Sequence, residues 1–134
     1  MSDDRPMRLQ EELPRPLPVN PDPGKKHVNV ERYIAHLENS ITASTEWAVF
    51  EHNGEVLWAR VRNTIDDFLL DDWRSGALQG TSAEQAYFVR CDRSTMTQND
   101  LDNGRLVCEI GVAPVKPAEF VTFRISQWTA DRKK

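Results

Sequence analysis

Two apolar runs near the end of the chain, separated by a break that contains two prolines, constrain its fold more than any other feature. Residues 105–112 have the sequence RLVCEIGV, residues 120–127 have FVTFRISQ, and Pro114 and Pro117 lie between them. Apolar residues recur at every second position of both runs, and this period places alternate side chains on opposite faces of a β-strand. The sequence therefore predicts two strands, each with one apolar face and one polar face.

The second predicted strand is expected to lie at the edge of a sheet. Its residues alternate between an apolar set and a polar set: Val121, Phe123 and Ile125 against Thr122, Arg124 and Ser126. Because this run lies almost at the end of the sequence, no later strand is expected to cover it, and its outer row of backbone donors and acceptors would stay unpaired. An edge of this kind can bind a strand from another chain.

Length, composition and charge exclude several classes of protein. A chain of 134 residues with 39% hydrophobic and 28% charged residues fits one globular domain, and it contains no apolar run near the ~20 residues of a membrane helix. The net charge of -4 argues against a general nucleic-acid binder, which would carry a basic surface. The first ten residues lack the apolar segment of a secretory signal, so we expect a cytoplasmic site of synthesis and assembly.

Residues 1–26 are expected to form an extended arm that precedes a domain over residues 27–134. Six of the eight prolines lie in this segment. Each proline lacks an amide donor and biases the residue before it toward extended backbone, so neither a helix nor a central strand is predicted. Two alternatives stay open: a disordered tail, or an extended strap that becomes ordered against a neighbouring chain.

Helical periodicity begins after Asn29, a suitable cap residue. Apolar residues spaced three and four apart predict a first helix over about Val30–Ala43, and a second such series predicts the longest helix, from Leu57 to Trp73, ended by Gly76. Between them, the short apolar run Thr45–Phe50 predicts a buried strand.

Shorter elements are predicted in the second half of the chain. Thr81 and Glu84 have the spacing of a capping box for a third, short helix, followed by a strand over Tyr87–Cys91. Thr97 is expected to cap one turn within the polar loop that ends at Gly104. These elements predict an α/β two-layer sandwich: a mixed β-sheet with two long helices packed on it, preceded by the extended proline-rich arm.

No sequence motif for catalysis, metal binding or cofactor binding is present. His27, His36 and His52 lack the spacing of metal ligands, and nucleotide-binding glycine motifs are absent from the sequence. The acidic cluster at residues 66, 67, 71 and 72 is favoured as a solvated helix face over a cation site, because one helix face offers too few oxygen ligands. Cys91 and Cys108 are predicted to be buried, unreactive thiols. We therefore expect no enzymatic activity and no cofactor.

Charges on the longest predicted helix are distributed against its dipole. The basic residues precede the acidic ones: Arg60 and Arg62, then Asp67, Asp71 and Asp72. Acidic residues are unfavourable near a helix C-terminus, so local stability does not explain this order. Chance is one explanation, and the functional alternative is that these charges match the surface of a partner.

Five collinear segments resemble blocks of a known family. They are VNVERYIAHLENSI, TEWAVFEHNGEVLWARVRNTIDDFL, WRSGALQGTSAEQAYFVRCD, TMTQNDLDNGRL and GVAPVKPAEFVTFRISQ. From about His27 to Gln127 the chain resembles the C-terminal domain of contractile phage tail sheath proteins, which also occurs in phage-like contractile injection particles. The AVFE, FVRCD and GVAPVKPAEF blocks together make this resemblance specific.

The resemblance implies a structural subunit that polymerises around a tail tube in a phage tail or phage-like particle. In that family, arms exchanged between neighbouring subunits add strands to each other's sheets. The C-terminal strand and arm would correspond here to residues 119–134, and the implied subunit contacts are Phe120, Val121, Thr122, Phe123, Arg124 and Ile125. The implied partners are other sheath subunits or a longer sheath paralogue, the tube protein, and a baseplate or tail terminator.

The chain departs from the family pattern at its start. Sheath subunits usually carry an N-terminal arm and outer domains before this region, whereas here a proline-rich segment precedes it. A non-polymerising cap, terminator or adaptor that binds the sheath or tube is therefore the alternative function. An enzyme centred on Cys91, Asp92 and a histidine is a third hypothesis, which the apolar surroundings expected for Cys91 disfavour.

Overall fold

The structure, a computed structural model, describes residues 26–133. The proline-rich arm expected over residues 1–26 lies outside this range except for Lys26. The elements in chain order are α1 (Lys26–Ser44), a 3₁₀ helix (Glu46–Phe50), α2 (Glu55–Arg74), α3 (Ala83–Ala86), β1 (Tyr87–Arg90), a 3₁₀ turn (Arg93–Thr95), α4 (Gln98–Asp102), β2 (Arg105–Val112) and β3 (Val121–Trp128). By its internal contacts the chain divides after Tyr33, so the described part of the first unit is the beginning of α1 and the second unit contains the remaining elements.

The three strands form one sheet in the order β1-β2-β3. The combination of helices with this sheet confirms the predicted α/β class. Both pairings are antiparallel, so the prediction of a mixed sheet was wrong. The expected strand over Thr45–Phe50 is not a strand, and the three remaining strands pair with their neighbours in sequence order.

The segment Glu46–Phe50 is a 3₁₀ helix, which corrects the predicted buried strand. Local hydrogen bonds favour the helical turn: the Thr45 hydroxyl donates to the Ile41 carbonyl at 2.8 Å, and the Trp47 indole donates to the Ser44 carbonyl at 2.8 Å. Ala48 is buried, whereas Phe50 is 80% exposed. A short apolar run does not distinguish a buried strand from a helical turn, and the local bonds decide here.

The two long helices present the apolar stripes that their periodicity predicts. Helix α1 begins at Lys26, four residues before the predicted start, and Leu37 and Ile41 are fully buried. Helix α2 buries Leu57, Val61, Ile65 and Leu69. The helix ends at Arg74 with Ser75 as its C-cap, and the chain turns away at the next residue, Gly76, which adopts the left-handed φ of +91° predicted for it.

The predicted cap at Thr97 is confirmed and forms a capping box with Asp100, whereas the capping box predicted at Thr81 and Glu84 was wrong. The Thr97 hydroxyl accepts a hydrogen bond from the Asp100 amide at 3.0 Å, and the Asp100 carboxylate accepts one from the Thr97 amide at 2.9 Å. At the start of α3, Ser82 occupies the cap position, and the Thr81 amide and hydroxyl both donate to the Gln85 side chain. The side-chain acceptor therefore lies one residue beyond the predicted Glu84, because the helix starts one residue later.

The inward face of the sheet forms the core beneath the helices. Leu106, Cys108, Ile110 and Val112 of β2 are fully buried, and Phe123 and Ile125 of β3 are nearly so. On the opposite face, the Phe88 ring lies directly on Gly111, where a Cβ atom would come within 2.1 Å of the ring. Phe88 also contacts Phe120 edge to face, with ring centroids 5.1 Å apart. This contact anchors the end of the linker that leads into β3.

Candidate assembly interface

Strand β3 is an edge strand that pairs with β2 over eight positions, from Val112 with Val121 to Arg105 with Trp128. One position further on, the Thr129 amide donates to the Gly104 carbonyl at 2.9 Å. Hydrogen-bonded and non-hydrogen-bonded pairs alternate in an antiparallel ladder. The backbone groups of Phe123 and Ile125 therefore face β2, and those of residues 122, 124 and 126 point away from the sheet.

The outer row of β3 is open in its middle part and covered at its end. Over the part of the chain that the structure describes, no fourth strand pairs with residues 122–126. At the far end, the Ala130 amide donates to the Glu51 carbonyl at 2.9 Å, so the turn after the 3₁₀ helix closes the row there. The accessible stretch of edge is thus about five residues, enough for a short added strand.

The opposite edge of the sheet, along β1, is capped by a side chain. The Ala113 amide donates to the Ala86 carbonyl, and the same alternation directs the Cys91 carbonyl outward, away from β2. The Arg62 guanidinium, from α2, donates to this carbonyl at 2.6 Å. The two edges therefore differ, because an arginine satisfies a carbonyl at the β1 edge while the β3 edge is open.

The six residues expected to make subunit contacts divide into two groups. Phe123 and Ile125 contribute to the chain's own core, whereas Phe120, Val121, Thr122 and Arg124 are exposed. Trp128, at the end of the same strand, is 36% exposed, and the guanidinium groups of Arg105 and Arg132 lie 5.5 and 4.5 Å from the centre of its ring. Contact between subunits through these residues stays a prediction.

The five charged residues of α2 that were predicted to face a partner do not form one uniform surface. Arg60 contacts Glu51 at 3.3 Å and lies over the Trp47 ring at 4.6 Å, and Arg62 is bound to the Cys91 carbonyl. Asp67 and Asp71 are exposed, and Asp72 is partly exposed. Both arginines therefore have partners within the chain, and the exposed Asp67 and Asp71 are the stronger part of the predicted partner-facing charge.

A cross-strand charge row, which sequence reasoning missed, lies on the solvent face of the sheet. Glu109 of β2 is 3.1 Å from Arg90 on one side and 4.0 Å from Arg124 on the other. Only the strand register brings these residues together, so no pattern within a single run reveals them. Exposed pairs stabilise little, and the main effect of this row is to orient Arg124 on the edge strand.

The remaining candidate groups offer little chemistry. Cys91 and Cys108 are free and buried, as predicted, and a hydrogen bond with Cys91 together with burial raises the pKa of the Cys108 thiol. Between residues 26 and 133, no group of three or more His, Cys, Asp or Glu side chains could hold a metal ion. None of the helices described there is long and apolar enough to cross a membrane.

The Asp100 carboxylate connects the start of α4 to the start of β2, and replacing it should lower the stability of the fold. Its carboxylate accepts from the Thr97 amide at 2.9 Å and from Arg105 Nε at 2.8 Å. The Thr97 hydrogen bond, aided by Arg105 and opposed by burial, lowers the pKa of Asp100. Because its pKa is lower in the folded state, the carboxylate stabilises the fold above the ordinary Asp pKa of about 4, and this stabilisation is lost as the pH falls through the folded-state value.

We expect Asp100→Asn to lower the free energy of unfolding by about 1–2 kcal/mol at pH 7, with a smaller loss near pH 3. Urea denaturation at both pH values measures this difference. Asp102→Asn is the matched control, since Asp102 is exposed and bonds only to the Gln98 side chain among the interactions described here. Equal losses for the two variants, or a loss at Asp100 that does not depend on pH, would contradict the assignment.

Comparison with known proteins agrees with this structural picture. The family described as "Phage tail sheath C-terminal domain" matches residues 20–127. Among curated proteins the comparison finds no match.

Two solved assemblies contain chains similar to this one. A chain of the anti-feeding prophage baseplate, in a six-fold symmetrised cryo-EM structure, is 40% identical with a TM-score of 0.62, over 70% of this chain and 26% of that chain. A chain of the contracted sheath complex of PVC, an extracellular contractile injection system, is 38% identical with a TM-score of 0.61, over 78% of this chain and 29% of that chain. This chain thus covers less than a third of the chains it matches, and by the extent of the family match it belongs to the phage tail sheath C-terminal domain family.

Proposed function

We propose that this chain is a structural subunit of a contractile sheath, which polymerises around a tail tube by passing β3 from one subunit to the sheet of the next. The observation that carries the proposal is the attachment of β3. It forms an edge of the sheet, and it supplies Phe123 and Ile125 to the core. Its covalent connection to β2 is the linker 113–120. The β3 of a neighbouring copy could fill the same place with the same contacts.

The energetics of this exchange support the proposal. An exchanged β3 remakes its eight register pairs with β2 and buries Phe123 and Ile125 again, so hydrogen bonding and apolar burial are nearly conserved. The eight-residue linker 113–120 can extend to roughly 26 Å, which allows β3 to reach a neighbouring sheet. The balance between closed and exchanged forms then depends on linker strain and on the new contacts between subunits.

Contraction of such a sheath needs no chemistry within the subunit. Strands joined through the backbone tolerate rotation of one subunit against the next while the linkage stays intact. The free energy comes from the difference between the subunit contacts of two lattices. We therefore propose a structural role for this chain, with no enzymatic activity and no cofactor.

The proposed partners are copies of this chain or a longer sheath protein, together with the tube. The exposed carboxylates of Asp67 and Asp71 on α2 are the charges we propose to face a partner. Assembly would take place in the cytoplasm before the particle is released.

A cap or adaptor is the second candidate function. The similarity to a chain in a baseplate structure favours it. Such a protein would occupy one end of a sheath or tube and would not form a lattice with itself. The number of copies in a purified particle separates the two functions.

A disulfide between two different chains tests strand exchange directly. Val107 and Ser126 are register partners on the solvent face of β2 and β3, in a non-hydrogen-bonded position that brings Cα atoms close enough for a disulfide. One chain would carry Val107→Cys and a second Ser126→Cys, and the two would be assembled together with the tube and oxidised mildly. We expect a covalent dimer on a non-reducing gel, because a β3 from one chain lies on the β2 of another.

The matched control pairs Val107→Cys with Thr64→Cys, a position on α2 that is not a register partner of β2. This control pair should give no dimer above background. Assembled particles that yield no Val107–Ser126 dimer would show that β3 stays on its own sheet, and the linkage between subunits would then have to lie elsewhere. Particles with a few terminal copies instead of a lattice would favour the cap.

A further inference from the structure

We propose that the segment Thr129–Asp131, here called the latch, holds β3 on its own β2 and keeps an isolated subunit closed until it meets its neighbour. This inference rests on the proposed function, since the motion that the latch restrains is the release of β3. It adds a conformational control that strand exchange alone does not require. The latch lies beyond residue 127, where the family match ends.

Thr129 is the centre of the latch. It is 1% exposed, and both its amide and its hydroxyl donate to the Gly104 carbonyl, at 2.9 and 2.8 Å. The hydroxyl also accepts from the Asp131 amide at 3.2 Å, which turns the chain back toward the body of the domain. A buried hydroxyl with two partners is costly to remove, because its loss leaves a backbone group without its partner.

Asp131 ties the latch to a distant part of the chain. Its carboxylate accepts from the Asn53 amide at 3.0 Å and lies 2.7 Å from His52 Nδ1. Asn53 is itself held firmly, since its side chain accepts from the buried Trp58 indole at 2.8 Å. The latch is therefore bound to the turn before α2 as well as to the turn before β2.

Gly104 lies directly against the end of the latch. A Cβ atom at this position would lie 2.3 Å from the Asp131 carbonyl carbon and 2.4 Å from the Arg132 amide. Any side chain here would push the tail away. Gly104 also has a φ of +74°, so replacing it adds backbone strain as well as a clash.

These contacts are placed where they can control β3. A strand joined to β2 by a linker at its N-terminal end can detach first from its C-terminal end, at Trp128. The latch follows immediately, and Arg132 lies over the Trp128 ring at 4.5 Å. Opening from that end therefore requires the latch contacts to break before the β2–β3 ladder.

Amide hydrogen exchange on the isolated subunit tests the latch without reference to assembly. Thr129→Val removes the hydroxyl and nearly preserves side-chain shape. We expect exchange at the β2-facing amides of Phe123 and Ile125 to become about tenfold faster, with α2 amides unchanged. Thr64→Val is the matched control, because it removes a hydroxyl bonded only within α2 among the interactions described.

A second pair of variants tests the close contact. Gly104→Ala should displace the tail and accelerate exchange of β3, whereas Gly76→Ala introduces similar backbone strain at a φ of +91° with no atom within 4 Å of the added Cβ. Unchanged exchange of β3 in both Thr129→Val and Gly104→Ala would overturn the proposal. Equal acceleration across α2 and β3 would also overturn it, since the segment would then stabilise the whole domain.

The two proposals, the latch and strand exchange, can be refuted independently of each other. Faster exchange of β3 in the latch variants, together with faster formation of the Val107–Ser126 dimer between chains, supports both. Faster exchange of β3 with no dimer between chains supports the latch, and strand exchange is then the part that is wrong.

Discussion

A subunit whose β3 is covalently tied to its own β2 is expected not to polymerise. The double variant Val107→Cys/Ser126→Cys places both thiols in one chain at register partners. Oxidation of the dilute monomer, before any tube or sheath protein is added, should form the disulfide within the chain because the closed form brings the two positions together. The proposed exchange would then be blocked by a covalent bond.

The expected effect is all or none. A disulfide has no accessible open state under oxidising conditions, so assembly should be abolished instead of slowed. Addition of dithiothreitol should restore it fully, because the reduced side chains are small and lie on the solvent face. Sedimentation velocity and negative-stain electron microscopy, before and after reduction, measure the loss and the recovery.

The single variants are the controls, because each carries one new thiol and cannot form the lock. The native thiols interfere little, since Cys91 and Cys108 are buried. If the oxidised double variant assembles as well as the reduced form, β3 does not leave its own sheet, and the joint between subunits has to use the open outer edge of β3 or another surface. Arg124→Pro then distinguishes these, because it removes an outward amide that an added strand would need.

Elements with strong local signals were predictable from the sequence. The alternation in residues 105–112 and 120–127 located β2 and β3, since a period of two fixes both the strand and its buried face. Helix α2 and its end at Gly76 followed from helical spacing and from the backbone freedom of glycine. The cap at Thr97 was predictable because the acceptor and the amide it binds are three residues apart.

Contacts that depend on register or on distant parts of the chain were not predictable. The bond from Arg62 to the Cys91 carbonyl joins residues 29 positions apart, and the one from the Asn53 amide to Asp131 spans 78. The prediction for the segment Thr45–Phe50 was wrong for another reason. Its composition fits either a strand or a helical turn, and the hydrogen bonds of Thr45 and Trp47 favour the turn. The charges of α2 likewise differ in a way that the sequence does not show, because Arg60 and Arg62 have partners within the chain.

The sequence predicted strand β3 of the candidate interface, but it did not show whether the strand closes its own subunit or joins two subunits. The sequence identifies an apolar set on β3, and that set serves equally to close a single subunit and to join two. In the structure Phe123 and Ile125 complete the chain's own core. Removing the strand would therefore damage the fold as well as assembly, so deletion cannot separate the two roles.

Phe123→Asp is expected to destabilise the isolated domain by about 4 kcal/mol or more. The side chain is 9% exposed and its register partner is the fully buried Ile110, so the substitution removes an aromatic ring from the core and introduces a charge there. Typical domains have only about 5–15 kcal/mol of total stability, so most of it would be lost. Urea denaturation followed by circular dichroism measures the change.

Thr122→Asp is the matched control, because it introduces the same charge one residue away on the exposed face and should change stability by no more than about 0.5 kcal/mol. Phe123→Asp should also prevent assembly, since an exchanged β3 would bring the same charge into a neighbour's core. Comparison with the disulfide lock is informative: the lock should abolish assembly while the subunit stays folded, and Phe123→Asp should abolish both. A folded Phe123→Asp subunit that still assembles would mean that β3 is not packed in this register, either in its own sheet or in a neighbour's.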